Sequence, residues 1–129
     1  MFFSSKIRSA LSTAAFISVA ALGTINPAAA QDRIEILSTD ESAMMTGYLY
    51  EGESVYAICD QDCSDIDLYL YNEDGSPAYD IYGNAVSDIA TDAFPVVTAP
   101  YEGTFMIEAY MSSCSTSVCS VSVSSDNGF

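Results

Sequence analysis

The stretch Gly103-Thr-Phe-Met-Ile-Glu-Ala-Tyr-Met111 decides the fold class, because its apolar and polar side chains alternate with a period of two. In a β-strand this alternation places Phe105, Ile107 and Ala109 on one side and Glu108 on the other. We therefore expect Phe105 and Ile107 to lie in a core, and Glu108 to mark the outer face of a sheet.

Short segments of the same kind lie on both sides of this strand, and turn-forming residues such as those of 72–75 and 100–103 separate them. Short strands at regular spacing are typical of a sandwich or barrel. We therefore predict an all-β, antiparallel β-sandwich of about seven to eight strands. The predicted strands cover 44–50, 54–59, 67–71, 78–82, 94–98, 103–111 and 119–124.

Three tyrosines are candidate binding residues. The alternation directs Leu68 and Leu70 inward, and it directs Tyr69, Tyr71 and Tyr110 outward on neighbouring strands. Outward tyrosines can form a contact platform for a protein or a polysaccharide. Cross-strand tyrosine pairs also stabilise sheets without binding anything, and this is the alternative.

The charge balance excludes several functions. The chain has 129 residues, with 18 acidic side chains, 3 basic side chains and no histidine. So little cationic surface cannot hold a phosphodiester, so we expect no nucleic-acid partner. Acid–base and nucleophilic catalysis near neutral pH most often need a histidine or another base. We therefore predict that the protein is not an enzyme, and a hydrolase that uses only carboxylates is the alternative.

Residues 1–30 have the organisation of a secretory signal peptide. A short basic start is followed by an apolar run over 11–25, and Ala28-Ala29-Ala30 supplies the small residues that signal peptidase prefers. We expect cleavage after Ala30 and an exported protein, periplasmic or extracellular, with no membrane association after cleavage.

The exported part is predicted to have an N-terminal extension over 31–41 and one domain over 42–129. Arg33 is then the one cation against all 18 carboxylates, and we expect it near a frayed terminus. A body this acidic attracts divalent cations and basic partners.

All four cysteines follow the predicted signal peptide, as the pairs Cys59 with Cys63 and Cys114 with Cys119. Export favours disulfides over a zinc site of four thiolates. Turn-forming residues inside each segment favour the two local bridges. A bridge from the first pair to the second is the alternative, because four cysteines allow three pairings.

Asp60, Asp62, Asp65 and Asp67 lie close together in the sequence, around the first cysteine loop. Calcium binds 6 to 8 oxygens, mostly from carboxylates and carbonyls. The four aspartates are therefore a predicted calcium site, although they do not follow the EF-hand pattern. Solvated turn aspartates are the alternative, and no other cofactor is predicted.

Three segments carry a family resemblance: Cys59-Asp-Gln-Asp-Cys-Ser-Asp-Ile-Asp-Leu-Tyr-Leu-Tyr-Asn-Glu-Asp-Gly75, the run Phe94-Pro-Val-Val, and Tyr101-Glu-Gly-Thr-Phe-Met-Ile-Glu-Ala-Tyr110 with the 114–119 loop after it. Together they resemble bacterial pre-peptidase C-terminal domains, over roughly residues 42–124. The resemblance implies a jelly-roll-like β-sandwich that acts as a non-catalytic binding or targeting module, sometimes with calcium. No protease domain accompanies it here, so we expect a freestanding interaction module. An accessory protein without a specific ligand is the alternative.

Overall fold

The computed structural model describes residues 33–129, and every regular element in this part of the chain is a β-strand. The predicted signal peptide lies outside the described residues. Residues 33–129 form no helix of the length and apolarity that crossing a membrane requires. The strands are β1 Arg33–Leu37, β2 Ser42–Leu49, β3 Ser54–Cys59, β4 Cys63–Asn72, β5 Ser87–Asp88, β6 Val96–Thr98, β7 Gly103–Cys114 and β8 Cys119–Ser125.

The strands form two four-stranded antiparallel sheets. The first sheet has the strand order β1-β8-β3-β6, and the second has the order β2-β7-β4-β5. This arrangement is that of a jelly roll, in which two four-stranded sheets enclose one core. The predicted all-β, antiparallel β-sandwich is therefore confirmed.

The core lies between the two sheets and is built from alternate residues of each strand. Phe105 and Ile107 of β7 are fully buried, as their alternation predicts. Leu68 of β4 is buried beside Ala109, its partner in the register of β4 and β7. Val121 and Val123 line the first sheet's side of the core, and the serines between them are half-buried on the outer face.

The strand predicted over 78–82 does not form. The chain makes isolated bridges here, one of them between Tyr79 and Ala85, and then turns. Asp80 Oδ1 accepts the backbone N–H groups of Tyr82 and Asn84, each at 2.9 Å. These bonds stabilise a turn in place of a strand ladder. The two-residue strand β5 follows, and it is too short to show an alternating pattern.

The expectation of a frayed terminus at Arg33 is wrong, since β1 pairs with β8 from Arg33 to Leu37. The guanidinium carbon of Arg33 lies 4.7 Å from the centroid of the Phe129 ring, and its Nη2 donates to the carbonyl of Thr46 at 3.3 Å. Arg33 therefore joins the edge strand of the first sheet to the edge strand of the second, because Thr46 belongs to β2.

The two local disulfides are confirmed. Cys59 is bonded to Cys63 and Cys114 to Cys119, with Cα–Cα distances of 5.7 Å and 6.0 Å. Cys63 faces Cys114 in the register of β4 and β7, so both bridges lie at the same end of the sandwich. Disulfides of this kind persist in oxidising compartments, which agrees with export.

Candidate interaction surface

The outer face of the first sheet carries no charged side chain at its strand positions, and we call it the uncharged face. In register, Ile34 of β1 lies beside Ser122 of β8, which lies beside Ile58 of β3. An aliphatic, a hydroxyl and an aliphatic side chain thus follow one another across three strands. The uncharged face consists of Ile34, Ile36, Ser54, Tyr56, Ile58, Val96, Thr98, Ser120, Ser122 and Ser124.

Strand β1 exposes the side chains that a core strand would bury. Ile34 is 61% and Ile36 is 58% exposed, whereas Arg33 and Glu35 alternate to the opposite side of the strand. The register sets this orientation, because Leu37 pairs with the buried Cys119. A slip of one residue would turn both isoleucines inward. The observed register instead leaves them exposed on the same face as Ile58, which is 53% exposed and lies on the far side of Ser122.

The outer face of the second sheet, here called the tyrosine face, carries the predicted binding residues Tyr69, Tyr71 and Tyr110. All three lie on the adjacent strands β4 and β7, on the side away from the core. The rings of Tyr69 and Tyr71 stack with their centroids 6.5 Å apart. Tyr110 Oη donates to Asp40 Oδ1 at 2.7 Å. A binding role for these tyrosines stays a prediction.

Glu108 lies at the centre of the tyrosine face. Its Oε1 accepts a hydrogen bond from Tyr71 Oη at 2.7 Å, and its Oε2 accepts one from Ser42 Oγ at 2.6 Å. Burial and the hydrogen bond to the Glu108 carboxylate raise the pKa of Tyr71 to about 12. The tyrosine face is therefore cross-linked by internal hydrogen bonds and carries negative charge, in contrast to the uncharged face.

Asp67 points outward from β4 but is only 7% exposed. Its Oδ1 and the Oδ1 of Asp65 are buried and have no hydrogen-bond partner among residues 33–129. Burial raises the pKa of Asp67, and the negative charges of Asp65 and Asp88 raise it further. A carboxyl pair with one raised pKa is what a carboxylate hydrolase needs. However, the cavities lined by Ile81 and by Phe129 include neither aspartate.

The four aspartates of the predicted calcium site are not gathered into one cluster. Asp60 Oδ1 accepts the N–H of Asp62 at 3.0 Å, and its Oδ2 accepts the N–H of Ser120 at 2.8 Å, so this carboxylate caps a turn. Asp65 and Asp67 lie beyond it on β4. Across the described part of the chain, no three Asp, Glu, His or Cys side chains converge to hold a metal ion. Calcium binding stays a prediction.

The uncharged face is not among the surfaces predicted from the sequence. The sequence does carry a signal for strand β1, because Ile34 and Ile36 alternate with Glu35 in the same way as the predicted strands. That pattern alone would have placed the isoleucines in the core, since apolar side chains usually face inward. Only the register with β8 shows that they face outward.

No family model and no curated protein matches the chain. Among solved structures, the chain is similar to Aeromonas hydrophila PliG, a periplasmic lysozyme inhibitor of g-type lysozyme. The two share 13% sequence identity, and the alignment covers 74% of this chain and 85% of the other with a TM-score of 0.46.

Proposed function

We propose that this protein is an exported, non-catalytic module that binds a partner protein through the uncharged face. The outward position of Ile34 and Ile36 carries the proposal. Exposing two branched aliphatic side chains side by side costs the stabilisation that their burial would give. Exposed branched aliphatic side chains that share one uncharged face of a folded domain favour an interaction site.

Charge favours this face over the others. The core of a protein–protein interface is depleted of charged residues, because a buried charge must be desolvated. The tyrosine face would bring Glu108 into such a core, and the loop end with Asp60 and Asp62 would bring two more carboxylates. The strand positions of the uncharged face present aliphatic, tyrosine and hydroxyl groups only. Asp60 accepts the N–H of Ser120 and Asp126 accepts the Tyr56 hydroxyl, so both carboxylates border the face. The partner's matching patch should therefore be apolar at its centre and basic at its rim.

The test compares a variant that removes three exposed isoleucines from the uncharged face with a control that removes one similarly exposed apolar side chain from the tyrosine face. Ile34→Thr/Ile36→Thr/Ile58→Thr strips the uncharged face but keeps β-branched side chains that suit a strand. Met44→Thr is the control on the tyrosine face, where Met44 is 53% exposed, as is Ile58. Proteins captured from the exported fraction of the source cells are identified, purified and titrated by calorimetry.

We expect a partner that binds the wild type and the Met44→Thr control alike, within about twofold, and the triple variant at least about tenfold more weakly. Equal binding by the triple variant would contradict the proposal, as would the absence of any purified partner that binds. Sedimentation velocity adds a third adverse outcome: a dimer of the wild type that the triple variant dissolves would make the face a contact between copies.

Calcium is a separate proposal that rests on the aspartates of the sequence. A melting temperature that rises with added calcium in the wild type, but not in Asp62→Asn/Asp65→Asn, would support it. If added calcium does not raise the melting temperature of the wild type, the proposed calcium site is wrong. A role as a pre-peptidase C-terminal-like domain is proposed on the sequence resemblance alone.

A further inference from the structure

Strand β6 leaves one edge of the first sheet open. The backbone groups of Pro95 and Ala99 face β3. The Pro95 carbonyl accepts the N–H of Ala57 at 3.2 Å, and the Ala99 N–H donates to the carbonyl of Glu53 at 2.9 Å. Backbone groups alternate in an antiparallel ladder, so those of Val96 and Thr98 point away from β3. Among residues 33–129, no strand pairs with β6 on that side.

The open edge is short and defined at both ends. The N–H of Val96 donates to Asp88 Oδ2 at 2.9 Å, so this donor is already occupied. Pro100 ends the strand on the other side, since proline has no N–H to offer. The carbonyl of Val96 and both backbone groups of Thr98 can therefore pair with an added strand. This edge has room for roughly three paired residues.

A groove of about 390 Å³ lies along this edge, between β6 and the 80–87 segment. Ile81, Val86 and Pro100 give it apolar walls, and Ile81 is 85% exposed. The groove is continuous with the uncharged face, because Val96 and Thr98 line the groove and also belong to that face. A strand added here would extend the proposed interaction surface by one strand.

The charge beside the groove indicates the chemistry of the occupant. Asp80 lines the groove, and its Oδ1 is fixed by the N–H groups of Tyr82 and Asn84. Arg33 is the one Lys or Arg after residue 30, and it lies on β1, at the opposite edge of the first sheet. An acidic occupant would meet uncompensated repulsion, whereas lysine or arginine beside Asp80 would be attracted.

We infer that an extended, basic segment of the partner adds to the sheet at the edge of β6. Its backbone pairs with Thr98 and the Val96 carbonyl, a branched apolar side chain packs on Ile81, and a flanking lysine or arginine lies beside Asp80. This is strand addition, in which backbone hydrogen bonds give affinity and alternate side chains give selectivity. The inference rests on the proposed binding function and names the form of the partner's contact.

A proline substitution tests the backbone contact without breaking the sheet. Thr98→Pro removes the outward N–H, and because this N–H does not bond to β3, the existing ladder keeps its hydrogen bonds. Thr98→Val is the matched control: it keeps the N–H and the β-branched shape. Both variants lose the contact between Thr98 Oγ1 and Ser54 Oγ, so that loss cancels in the comparison. Thermal melts verify that both variants fold.

The probe is a fluorescein-labelled peptide with the sequence Lys-Lys-Val-Thr-Val-Thr-Val-Lys-Lys, measured by fluorescence anisotropy. We expect saturable binding to the wild type and to Thr98→Val, and binding to Thr98→Pro that is at least about tenfold weaker. A peptide with N-methylated valines is expected to bind as weakly, and one with glutamate in place of lysine is expected not to bind. Equal binding of the N-methylated peptide, equal binding to Thr98→Pro, or no binding to the wild type would each overturn the inference.

The partner found through the uncharged face separates the two proposals. If that partner binds Thr98→Pro as well as the wild type but loses affinity for Ile34→Thr/Ile36→Thr/Ile58→Thr, the proposed function stands and strand addition is wrong. If the lysine peptide shows the expected pattern and no partner depends on the isoleucines, the groove binds extended segments and the proposed function of the face is wrong.

Discussion

The ring of Phe129 occupies the space that a side chain at Gly47 would need. A Cβ atom added to Gly47 would lie 2.6 Å from Cδ1 and 2.8 Å from Cβ of Phe129. Gly47 faces inward on β2, opposite the buried Phe105. The ring of Phe129 also lies under the Arg33 guanidinium. Because Gly47 has no side chain, the ring of Phe129 can pack against strand β2.

This relationship predicts a conditional effect of Gly47→Ala. In the wild type, the new methyl group must displace Phe129, so we expect the free energy of unfolding to fall by about 1 to 3 kcal/mol. In a Phe129→Ala background the clash is absent, and alanine suits a strand better than glycine does, so we expect no loss. A double-mutant cycle measured by urea denaturation checks this. Equal costs in the two backgrounds would contradict the assigned contact.

Glu53 is a buried glutamate that should stabilise the fold in a pH-dependent way. It is 4% exposed and accepts hydrogen bonds from Tyr50 N–H at 2.9 Å, Ser125 Oγ at 2.6 Å and Asn127 N–H at 3.1 Å. Burial alone would raise the pKa of Glu53, but these donors outweigh it and hold the pKa below its ordinary value of 4.5. The ionised form is therefore the one that the folded state prefers.

We expect Glu53→Gln to lower the free energy of unfolding by about 1 to 3 kcal/mol at pH 7, because the amide turns an N–H₂ group toward groups that also donate. A lowered pKa in the folded state stabilises at every pH above the unfolded pKa, and this contribution is lost as the pH falls through the folded value. The difference in the free energy of unfolding between Glu53→Gln and the wild type should therefore decrease below about pH 4.5. Glu51→Gln is the control, because Glu51 lies two residues away and is exposed. A loss of stability in Glu53→Gln that persists in acid would refute the assignment.

Alternation predicted β3 and β7 correctly, but it also predicted a strand over 78–82 that does not form, and β1 was missed although it alternates. Segment 54–59 coincides with β3, and the alternation of 103–111 lies within β7. The 78–82 segment contains apolar residues at strand-like spacing, but the carboxylate of Asp80 captures two backbone N–H groups and makes a turn. A local hydrogen bond of this kind is invisible to a periodicity argument.

The local disulfides could be predicted because a turn between cysteines brings them within bonding distance, and this depends on nearby residues only. The uncharged face could not be predicted, because it depends on which residue of β8 pairs with each residue of β1. In that register Leu37 pairs with Cys119 at the end of the ladder, and both are buried. A long-range pairing, and not the composition of β1, turns Ile34 outward.

Tyr71 provides a spectroscopic test of the tyrosine face. Its pKa of about 12 arises from burial and from the hydrogen bond to the Glu108 carboxylate. We expect Glu108→Gln to lower this pKa, since the amide removes the negative charge that opposes ionisation. Titration by NMR of protein with ring-labelled tyrosine, with Tyr71→Phe to assign the resonance, measures the change. A Tyr71 that ionises near the ordinary value of 10 in the wild type would show that the contact is not formed.

Asp67 is a candidate for a substitution that stabilises the protein. Its Oδ1 and that of Asp65 are buried without a partner among the described residues. Asp67→Asn removes one negative charge and offers an N–H₂ group to the neighbouring carboxylate, so we expect the free energy of unfolding at pH 7 to rise by about 1 to 3 kcal/mol. Asp62→Asn, in the nearby turn, is the control and should change it by less than about 0.5 kcal/mol.

The pH dependence of this gain has a defined sign. The pKa of Asp67 is raised in the folded state above its ordinary value of 3.8, so the folded wild type takes up a proton before the unfolded chain does. The wild type therefore gains stability as the pH falls through that raised value, and the advantage of Asp67→Asn should decrease toward pH 3.8. Urea denaturation of both proteins in the presence of EDTA, from neutral to acidic pH, measures the difference. An advantage that stays constant with pH, or an asparagine variant that is less stable at pH 7, would show that the ionised Asp67 carboxylate does not destabilise the fold.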